Sequence, residues 1–492
     1  MGLLPGREER LVPFAQIDIT SGLSPGYDVA GTSTSTLVNW EADGSGASKP
    51  RTALSAHTLA SASTDPVVEV AAWGRRLAWI TQDSSNIRKL WYQDRGGLTA
   101  TQVSDSTAAT QLGGTSRPVF SFGSGVAYIA GGSYLLKWDP SAATASQVAA
   151  SPRCTHVAAL GQRLLVNDTD NPGNVRWSDI GEGVWSTWPA ANATNADARP
   201  DDIVGIYENG QEAFVFGETT TQVYGVGTDA LFPFEAINAI DGGLGAPYAV
   251  ARKDGSFFLL DERRAIVRTD GRSREYIDAE FGRALRGFST ISDCFAYYDS
   301  SEQRQQIVFC FPTVGAVYAR DLTSNRWTER AYYSGSYTRA RFPITAATYW
   351  PATGQYIYGS SLTAGGLLKN DLDYRADMGG TVPIVCERMT GWHDHGSFEW
   401  KRSRGLRIVL RRGTAAQGAT PSALEIRVQN DGDAWSDWEQ LSVGAPDDYE
   451  TVLDVRLGGV FRRRRYHLRY AGSDDATLVA AFDDVQTLGG EA

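Results

Sequence analysis

The sequence has little of several features that mark particular protein classes. Its 492 residues include only four cysteines, Cys154, Cys294, Cys310 and Cys386, and none of them forms a C-x-x-C pair. We therefore expect no disulfide framework, but free thiols, mostly in strands, in a chain that folds in reducing cytoplasm. No run approaches the roughly 18 apolar residues that span a bilayer, and the N-terminus, MGLLPGREER, has no apolar signal core. These absences predict a soluble chain that is neither secreted by a standard signal nor inserted in a membrane.

The motifs of common enzyme active sites are also missing. The sequence has no G-x-S-x-G, no P-loop and no H-E-x-x-H, and its many carboxylates form no pair that can be placed on one site. We therefore predict no enzyme activity, no catalytic residues, no cofactor and no metal.

The charge balance disfavours one class of partner. The net charge is -11 and the pI is about 5.1, and an acidic surface repels phosphate groups. A sequence-specific grip on nucleic acid is therefore not expected, whereas the wall of a channel through which DNA slides remains compatible with this charge.

The composition favours strands and turns. There are 52 glycines, aromatic residues reach 11%, and 14 of them are tryptophans. Apolar residues do not recur with helical spacing over a dozen positions; short apolar runs bounded by Gly, Asp, Asn and Ser recur instead.

These short runs form an internal repeat in the middle of the chain. Each unit has a first strand, a turn, a second apolar strand and a third short strand, and the units follow one another about every 35–50 residues. The seven first strands are VVEVAAW (67–73), PVFSF (118–122), THVAAL (155–160), DIVGIY (202–207), PYAVAR (247–252), ISDCFAYY (291–298) and ITAATYW (344–350).

Sheet burial explains why such units form a ring. One small twisted sheet cannot bury both of its apolar faces, but radial stacking buries each face on a neighbour and leaves only short edges. We predict an all-β fold, a β-propeller of about seven blades. A β-helix or a stack of sandwiches is the alternative, although a β-helix would need a shorter and stricter period.

The two ends differ from the middle and suggest three parts. Residues 1–66, rich in Gly, Ser, Thr and Ala, are predicted to be an extended arm that could add a strand to close the ring; STSTLVNW (33–40) is its clearest strand. Residues 67–379 are the predicted propeller. Residues 380–492 alternate apolar and polar positions over longer strands, which predicts a C-terminal β-sandwich.

Two polar motifs in the C-terminal part were candidates for binding sites. Arg462 to Arg465 lie in a strand pattern, so their side chains alternate between faces and offer no flat basic patch; a solvated or interface strand is the favoured interpretation and phosphate binding the alternative. His393-Asp394-His395 would place both rings on one side of a strand, but no third metal ligand follows at a suitable spacing, and the flanking Gly391 and Gly396 suggest a loop.

Two turns resemble the Ser-x-Asp-x-Gly-x-x-Trp pattern of sialidase propellers only loosely. The stretch from Val428 to Trp435 replaces both Ser and Asp and lies outside the repeat, and SDIGEGVW (178–185) has the wrong spacing. We interpret both as tight turns.

Three stretches, in order and spacing, resemble one family. The stretches are LVNWEADGSGASKPRTALSAHTLAS (37–61), VRWSDIGEGVWSTWPAANATNADARPDDIVGI (175–206) and EAFVFGETTTQVYGVGTDALFPFEAI (212–237). They are similar to the packaged-DNA stabilisation proteins, or tail hub (nozzle) proteins, of short-tailed phages that carry tailspikes. One departure is Ala56-His57-Thr58, where a turn ending in Pro-Gly is expected.

The resemblance implies a structural protein of the virion tail, assembled in the host cytoplasm. It implies a homo-oligomeric ring of six copies below the portal and its adaptor, which prolongs and closes the DNA channel, retains packaged DNA and holds the tail needle and tailspikes. The genome would pass without sequence-specific contacts, and the family brings no catalytic residues.

The sequence leaves two other functions open. A glycan-binding or glycan-cleaving, sialidase-like propeller would need arginines and carboxylates clustered at the central end of the ring. A monomeric scaffold propeller would bind peptides on its top face and form no ring.

Overall fold

The computed structural model describes the chain from residue 15 to residue 488 with gaps. The described residues are 15–19, 24–27, 33–43, 45–60, 63–105, 116–123, 125–181, 185, 187–196, 201–229, 233–278, 282–334, 337–362, 366–373, 375–412, 423–444, 449–472 and 474–488. Nearly all of their regular structure is β-strand, which confirms the predicted fold class.

Six strands precede the repeat. They are β1 (Ala15–Ile17), β2 (Ser24–Tyr27), β3 (Ser33–Val38), β4 (Trp40–Ala42), β5 (Ser48–Pro50) and β6 (Ala53–His57).

The repeat forms seven groups of four or five strands around a common axis. In the first three groups the strands are β7 (Val67–Trp73), β8 (Arg76–Gln82), β9 (Arg88–Asp94), β10 (Thr101–Gln102); β11 (Ser104–Asp105), β12 (Val119–Gly123), β13 (Val126–Ala130), β15 (Leu136–Trp138), β16 (Thr144–Gln147); β18 (Val157–Leu160), β19 (Arg163–Asn167), β20 (Asn174–Trp177) and β21 (Ala193–Asn195). A small pair, β14 (Ser133–Tyr134) and β17 (Arg153–Cys154), lies beside them.

The remaining four groups have the same layout. Their strands are β22 (Ile203–Glu208), β23 (Glu212–Gly217), β24 (Thr220–Val226), β25 (Phe234–Asp241); β26 (Val250–Lys253), β27 (Ser256–Leu260), β28 (Ile266–Thr269), β29 (Arg274–Tyr276); β30 (Phe295–Asp299), β31 (Gln306–Phe311), β32 (Ala316–Asp321), β33 (Trp327–Glu329); and β36 (Ile344–Trp350), β37 (Gln355–Ser360), β38 (Leu367–Asp371) with β6. A second small pair is β34 (Tyr332–Tyr333) with β35 (Arg339–Ala340).

The blades are not all separate sheets. Among the described residues six groups are sheets of their own, whereas the group β30 to β33 continues through a parallel contact of β33 with β3 into a ten-stranded sheet. The prediction of about seven blades thus corresponds to six independent blades and one that is shared with the C-terminal part. The repeat does not predict that the blade β30 to β33 is shared, because the strand that joins it to the C-terminal part comes from the N-terminal segment.

Radial packing holds the ring together as the sequence predicted. A separate apolar cluster lies between each pair of neighbouring groups, including the last and the first. The second strands are buried along their length; every residue of Ser256–Leu260 and of Gln306–Phe311 is buried. Such strands are covered on both faces, which is why their sequences are continuously apolar instead of alternating.

The ring closes with a strand from the N-terminal segment. Strand β6 pairs antiparallel with β38, so that Ala53 faces Asp371 and His57 faces Leu367. The last blade therefore contains strands from both ends of the repeat, and about 300 residues of chain lie between them. Paired strands join residues on the two sides of position 66 and of position 379. The division of the chain into three parts at these positions therefore stays a prediction.

The C-terminal strands form two facing sheets. Their bounds are β39 (Val382–Pro383), β40 (Cys386–Met389), β41 (Lys401–Arg412), β42 (Ala423–Asn430), β43 (Glu439–Ser442), β44 (Glu450–Val455), β45 (Val460–Phe461), β46 (Arg464–Tyr470) and β47 (Ala476–Thr487). One sheet has the order β4-β5-β47-β41-β44, and the other continues from β3 through β40, β46 and β42 to β43. Apolar residues of both sheets share one core, as the alternating pattern predicted.

Within the described ranges, helical structure is limited to single turns. The segments are α1 (Gly282–Arg286), α2 (Asp377–Gly380) and a 3-10 turn at Ser301–Gln303. No helix in the described part of the chain is long and apolar enough to cross a membrane.

Candidate functional sites at the junction and on the C-terminal sheet

A buried ion cluster joins the N-terminal segment to the propeller. Glu41 in β4 is completely buried and accepts hydrogen bonds from Arg304 and from Nε of Arg330, the latter at 2.6 Å. Nη2 of Arg330 also contacts the carboxylate of Asp299 at 3.0 Å. Burial alone would raise the pKa of Glu41, but the charges of Arg330 and Arg304 outweigh it and lower the pKa to about 2. Glu41 is therefore a fixed anion between two cations.

A second ion pair fastens the same segment to the end of the propeller. Arg51 binds Asp377 with both terminal nitrogens, at 3.0 and 2.5 Å, and both side chains are buried. Asp377 Oδ1 also accepts the backbone N–H of Leu54 in β6 at 2.9 Å. Asn39 accepts from Arg51 at 3.1 Å and donates to the carbonyls of Ala331 and Val385. One short stretch thus contacts the propeller and the C-terminal sheet at once.

A polar cleft of about 530 Å³ lies beside this junction. Lys49 bridges Glu302 of the propeller at 3.4 Å and Asp475 of the C-terminal part at 3.1 Å. Arg375 spans the same two carboxylates at 3.7 and 3.5 Å. Cations and anions alternate across the cleft, so it holds the two parts together and offers no unbalanced charge to a ligand.

The face of β42 and β46 that points away from the core carries rings and guanidinium groups in alternation. The distance from each arginine to its neighbouring ring centre lies between 3.7 and 5.0 Å. The members of this arginine–aromatic ladder are, in order, Trp392, Arg465, Trp435, Arg427, Trp438, Arg469 and Tyr337.

Strand alternation builds the ladder. In β46, Arg465 and Arg469 point outward while Tyr466 and Leu468 enter the core; Arg427 of the paired strand β42 points outward beside them. Tyr337 comes from the loop between β34 and β35 of the propeller, and its hydroxyl lies 3.4 Å from Glu425 Oε2. The ladder therefore spans the C-terminal sheet and reaches the propeller. The signal for this ladder in the sequence is Trp435-x-x-Trp438 together with arginines at alternate positions of the strands.

The four arginines at 462–465 have different roles. Arg462 and Arg463 are exposed, and their guanidinium groups lie over Trp400 and Trp392. Arg464 is buried and donates to Asn430 Oδ1 at 2.7 Å and to backbone carbonyls. The structure thus brings no flat basic patch together here.

The histidines of the His-Asp-His motif are packed in the core. His395 Nε2 lies 3.7 Å from Asp483 Oδ2, and the ring centres of His393 and His395 are 6.3 Å apart. Asp483 accepts hydrogen bonds from Ser403 at 2.5 Å and from Tyr466. Burial and the neighbouring His395 lower the pKa of His393 to about 4, and the nearby cation of Lys401 adds to the effect of burial on His395. At His395 burial outweighs the nearby carboxylate of Asp483, so the lowered pKa of both histidines favours their neutral form.

The cysteines are free thiols, as expected. All four are buried, and Cys154, Cys310 and Cys386 lie in strands. Burial raises the pKa of each thiol, so none is an activated nucleophile.

A cavity of about 260 Å³ lies at the propeller axis. Inner strands of six groups line it, with Glu69, Arg117, Phe120, Tyr207 and Phe295 among the residues that face it. A larger cavity of about 460 Å³ adjoins it and shares part of this wall.

Comparison with known proteins assigns the family. A family profile described as bacteriophage P22 Gp10, beta-propeller, matches residues 97–370, which is 274 of the 492 residues. Comparison with curated protein sequences finds no match.

Three solved structures are similar to this chain at low sequence identity. BamB from Moraxella catarrhalis is 10% identical over 73% of this chain and 96% of its own, with a TM-score of 0.38. YCF48 from Cyanidioschyzon merolae is 12% identical over 65% and 98%, with a TM-score of 0.41. The computationally designed Ika8 protein is 10% identical over 65% and 100%, with a TM-score of 0.37. Structural similarity at this level does not indicate a function for this chain.

The matched region begins within the first blade and ends in β38 of the last, so the profile covers most of the ring described above. This agrees with the resemblance found in the sequence. The chain belongs to the family of the packaged-DNA stabilisation protein Gp10 of bacteriophage P22, and it has a structural role in the stabilisation of packaged phage DNA.

Proposed function

We propose that this chain is a non-enzymatic hub, or nozzle, of the phage tail. Six copies form a ring below the portal and its adaptor, prolong the DNA channel, close it and retain the packaged genome. The observation that carries this proposal is the family match across the propeller.

The proposed channel runs between copies and not through one propeller. The two adjoining cavities that the inner strands line, of about 260 and 460 Å³, are too small for a DNA duplex. A ring of subunits around a common axis is the remaining way to enclose DNA. The net charge of -11 would keep the duplex from adhering to the wall, so retention would be steric and electrostatic.

The junction supports a role under mechanical load. A tail component must resist the pressure of packaged DNA without its parts separating. Here the propeller and the C-terminal sheets share a ten-stranded sheet, the Glu41 and Arg51 ion pairs and the ladder. These connections favour one rigid unit over two domains on a linker.

The proposed partners are those of a tail hub. Each ring would contact its own copies, the portal adaptor, the tailspikes or tail fibres and the tail needle or plug, and would let genomic DNA pass without sequence preference. The proposed location is the virion tail, after assembly in the host cytoplasm.

DNA retention by particles tests this function directly. Particles are assembled without this chain, treated with nuclease, and assayed for protected genome copies per capsid. We expect genome to be packaged and then lost, and to be retained when wild-type chain is supplied.

The matched control is Glu208→Gln, which changes an exposed pair with Arg252 on the propeller. This variant should restore retention as well as the wild type does. Equal protection of the genome with and without the chain would contradict the proposed function.

A further inference from the structure

The axial cavity of the propeller has the composition of a small-ligand site. Most of the residues that line it are apolar or aromatic, among them Phe120, Tyr207 and Phe295 from three different groups, while polar atoms make up about half of its exposed wall. A few polar groups converge on it, and with the adjoining cavity of about 460 Å³ the space lies in the usual range of ligand pockets, about 300–1,000 Å³.

One guanidinium is only partly used by the protein. Arg117 donates from Nε to Glu69 Oε2 at 2.5 Å and lies 4.4 Å from the centre of the Phe295 ring. Its two terminal nitrogens make no hydrogen bond to a described residue. They are the part of an arginine that binds a carboxylate with two parallel N–H bonds.

Glu69, the acid beside Arg117, has few free positions at which its carboxylate could accept a further hydrogen bond. Glu69 Oε1 accepts the backbone N–H of Val70 at 3.0 Å, and Oε2 is occupied by Arg117 Nε. N–H donors are therefore in excess at the axis, and an added carboxylate would find donors without displacing Glu69.

The aromatic part of the wall is held rigidly. Tyr207 donates to the carbonyl of Pro247 at 2.5 Å, and His156 Nε2 lies 3.1 Å from the same oxygen. The His156 ring stacks on Tyr248 with ring centres 5.3 Å apart. Preformed walls lose little entropy when a ligand binds.

We propose that this cavity binds a carboxylate attached to a flat apolar body. The carboxylate accepts two hydrogen bonds from the terminal nitrogens of Arg117, and the body lies between Phe120 and Tyr207. This site goes beyond the proposed tail function and does not depend on it, because it needs only the propeller of one chain.

Calorimetric titration of the full chain with 3-phenylpropionate and with 3-phenylpropionamide tests the site. The two probes have the same apolar body and differ in the charge of the acid group. The acid should bind at least about tenfold more tightly, as expected for hydrogen bonds to a charged group. Arg117→Gln should lose at least the same factor for the acid and little for the amide.

Arg76→Gln is the matched control. Arg76 also pairs with a carboxylate through Nε, at 2.6 Å to Asp94, and lies 5.2 Å from the Tyr92 ring centre, but it does not line the cavity. This variant should bind the acid like the wild type. If Arg117→Gln fails to fold, Ala71→Phe fills the cavity from the neighbouring strand and should abolish binding of both probes.

Measurements with a peptide distinguish between two sources of the carboxylate, the end of a polypeptide and a free organic acid. The tripeptide Ala-Ala-Phe is compared with a free and with an amidated C-terminus. Tighter binding of the free peptide than of 3-phenylpropionate assigns the site to the end of a polypeptide, and binding of the small acid alone assigns it to a free organic acid. Equal affinity for acid and amide, unchanged affinity in Arg117→Gln, or no binding of any probe would overturn the proposal.

Discussion

Glu41 and Arg330 form a buried ion pair between segments that are 289 residues apart in the sequence, with Arg330 Nε 2.6 Å from Glu41 Oε1. The pair links a strand that precedes the repeat to the blade that is shared with the C-terminal sheet. Its neighbours Arg304, Asp299 and Glu302 complete a cluster of three anions and two cations.

Replacing Glu41 by Gln should destabilise the whole chain. The change leaves Arg330 with Asp299 and Arg304 with the partly buried Glu302 as their remaining carboxylate partners. Removal of one partner from a buried pair costs about 3–5 kcal/mol. Chemical denaturation measures the free energy of unfolding. Glu208→Gln, at the exposed pair with Arg252, is the control and should change it by less than about 1 kcal/mol. An equal effect of both variants would contradict a structural role for the cluster.

The same residue should control acid stability at low pH. The folded-state pKa of Glu41 is lowered from its ordinary 4.5 to about 2, so the unfolded chain binds the proton first as pH falls. The stabilisation is complete above pH 4.5 and is lost between pH 4.5 and 2, about 3 kcal/mol in total. Denaturation at several pH values should show this loss in the wild type and a flatter curve in Glu41→Gln. Parallel curves would refute the assignment.

Protonation of a buried histidine should lower the stability of the folded chain in a higher pH range than protonation of Glu41 does. Burial lowers the pKa of His156 from 6.5 to about 4, although its contact with Pro247 opposes this. The unfolded chain therefore takes up a proton between pH 6.5 and 4 that the folded chain does not, and stability falls by about 3 kcal/mol as pH decreases through this range. His156→Gln should lose the part of this slope that His156 contributes. It should keep the part from His393, whose pKa is also lowered to about 4, and the Glu41-dependent loss at lower pH. An unchanged slope would show that His156 does not titrate in this way.

The propeller and the C-terminal strands were predictable, whereas the connections between them were not. Seven first strands such as 67–73 and 344–350 were visible because buried strands are continuously apolar and bounded by turns. The pairing of Val38 with Glu329, and of β6 with β38, depends on contacts between residues about 300 positions apart, which no local pattern contains. The run Arg462–Arg465 did not predict the ladder, because adjacent residues of a strand lie on opposite faces of the sheet and the ladder is formed by alternate residues.

The arginine–aromatic ladder should contribute to stability according to the number of contacts each ring makes. The ring centre of Trp438 lies 4.3 Å from the guanidinium groups of both Arg427 and Arg469, whereas among the described residues only Arg462 places its guanidinium over the Trp400 ring. Each contact contributes about 0.5–2 kcal/mol. Trp438→Ala should therefore lower the free energy of unfolding by about 1–2 kcal/mol more than Trp400→Ala. Equal losses in chemical denaturation would mean that the stacked cations add nothing.

Closure of the ring by β6 can be tested with a disulfide. Ser55 faces Lys369 across the antiparallel pair, and facing residues lie about 4.5–5.5 Å apart at Cα, within the range that a disulfide spans. The double substitution Ser55→Cys and Lys369→Cys should form a bond that raises the free energy of unfolding by about 2–4 kcal/mol under oxidising conditions. The single Ser55→Cys variant is the control. Failure of the bond to form, or equal stability with and without reductant, would contradict this pairing.

The proposed ring is tested most directly by electron microscopy of isolated tails at a resolution that shows the propeller. The account predicts several copies of the propeller, six in the proposed stoichiometry, around one open channel below the portal. Tails that lack this chain, or that carry single copies away from the channel axis, would contradict it.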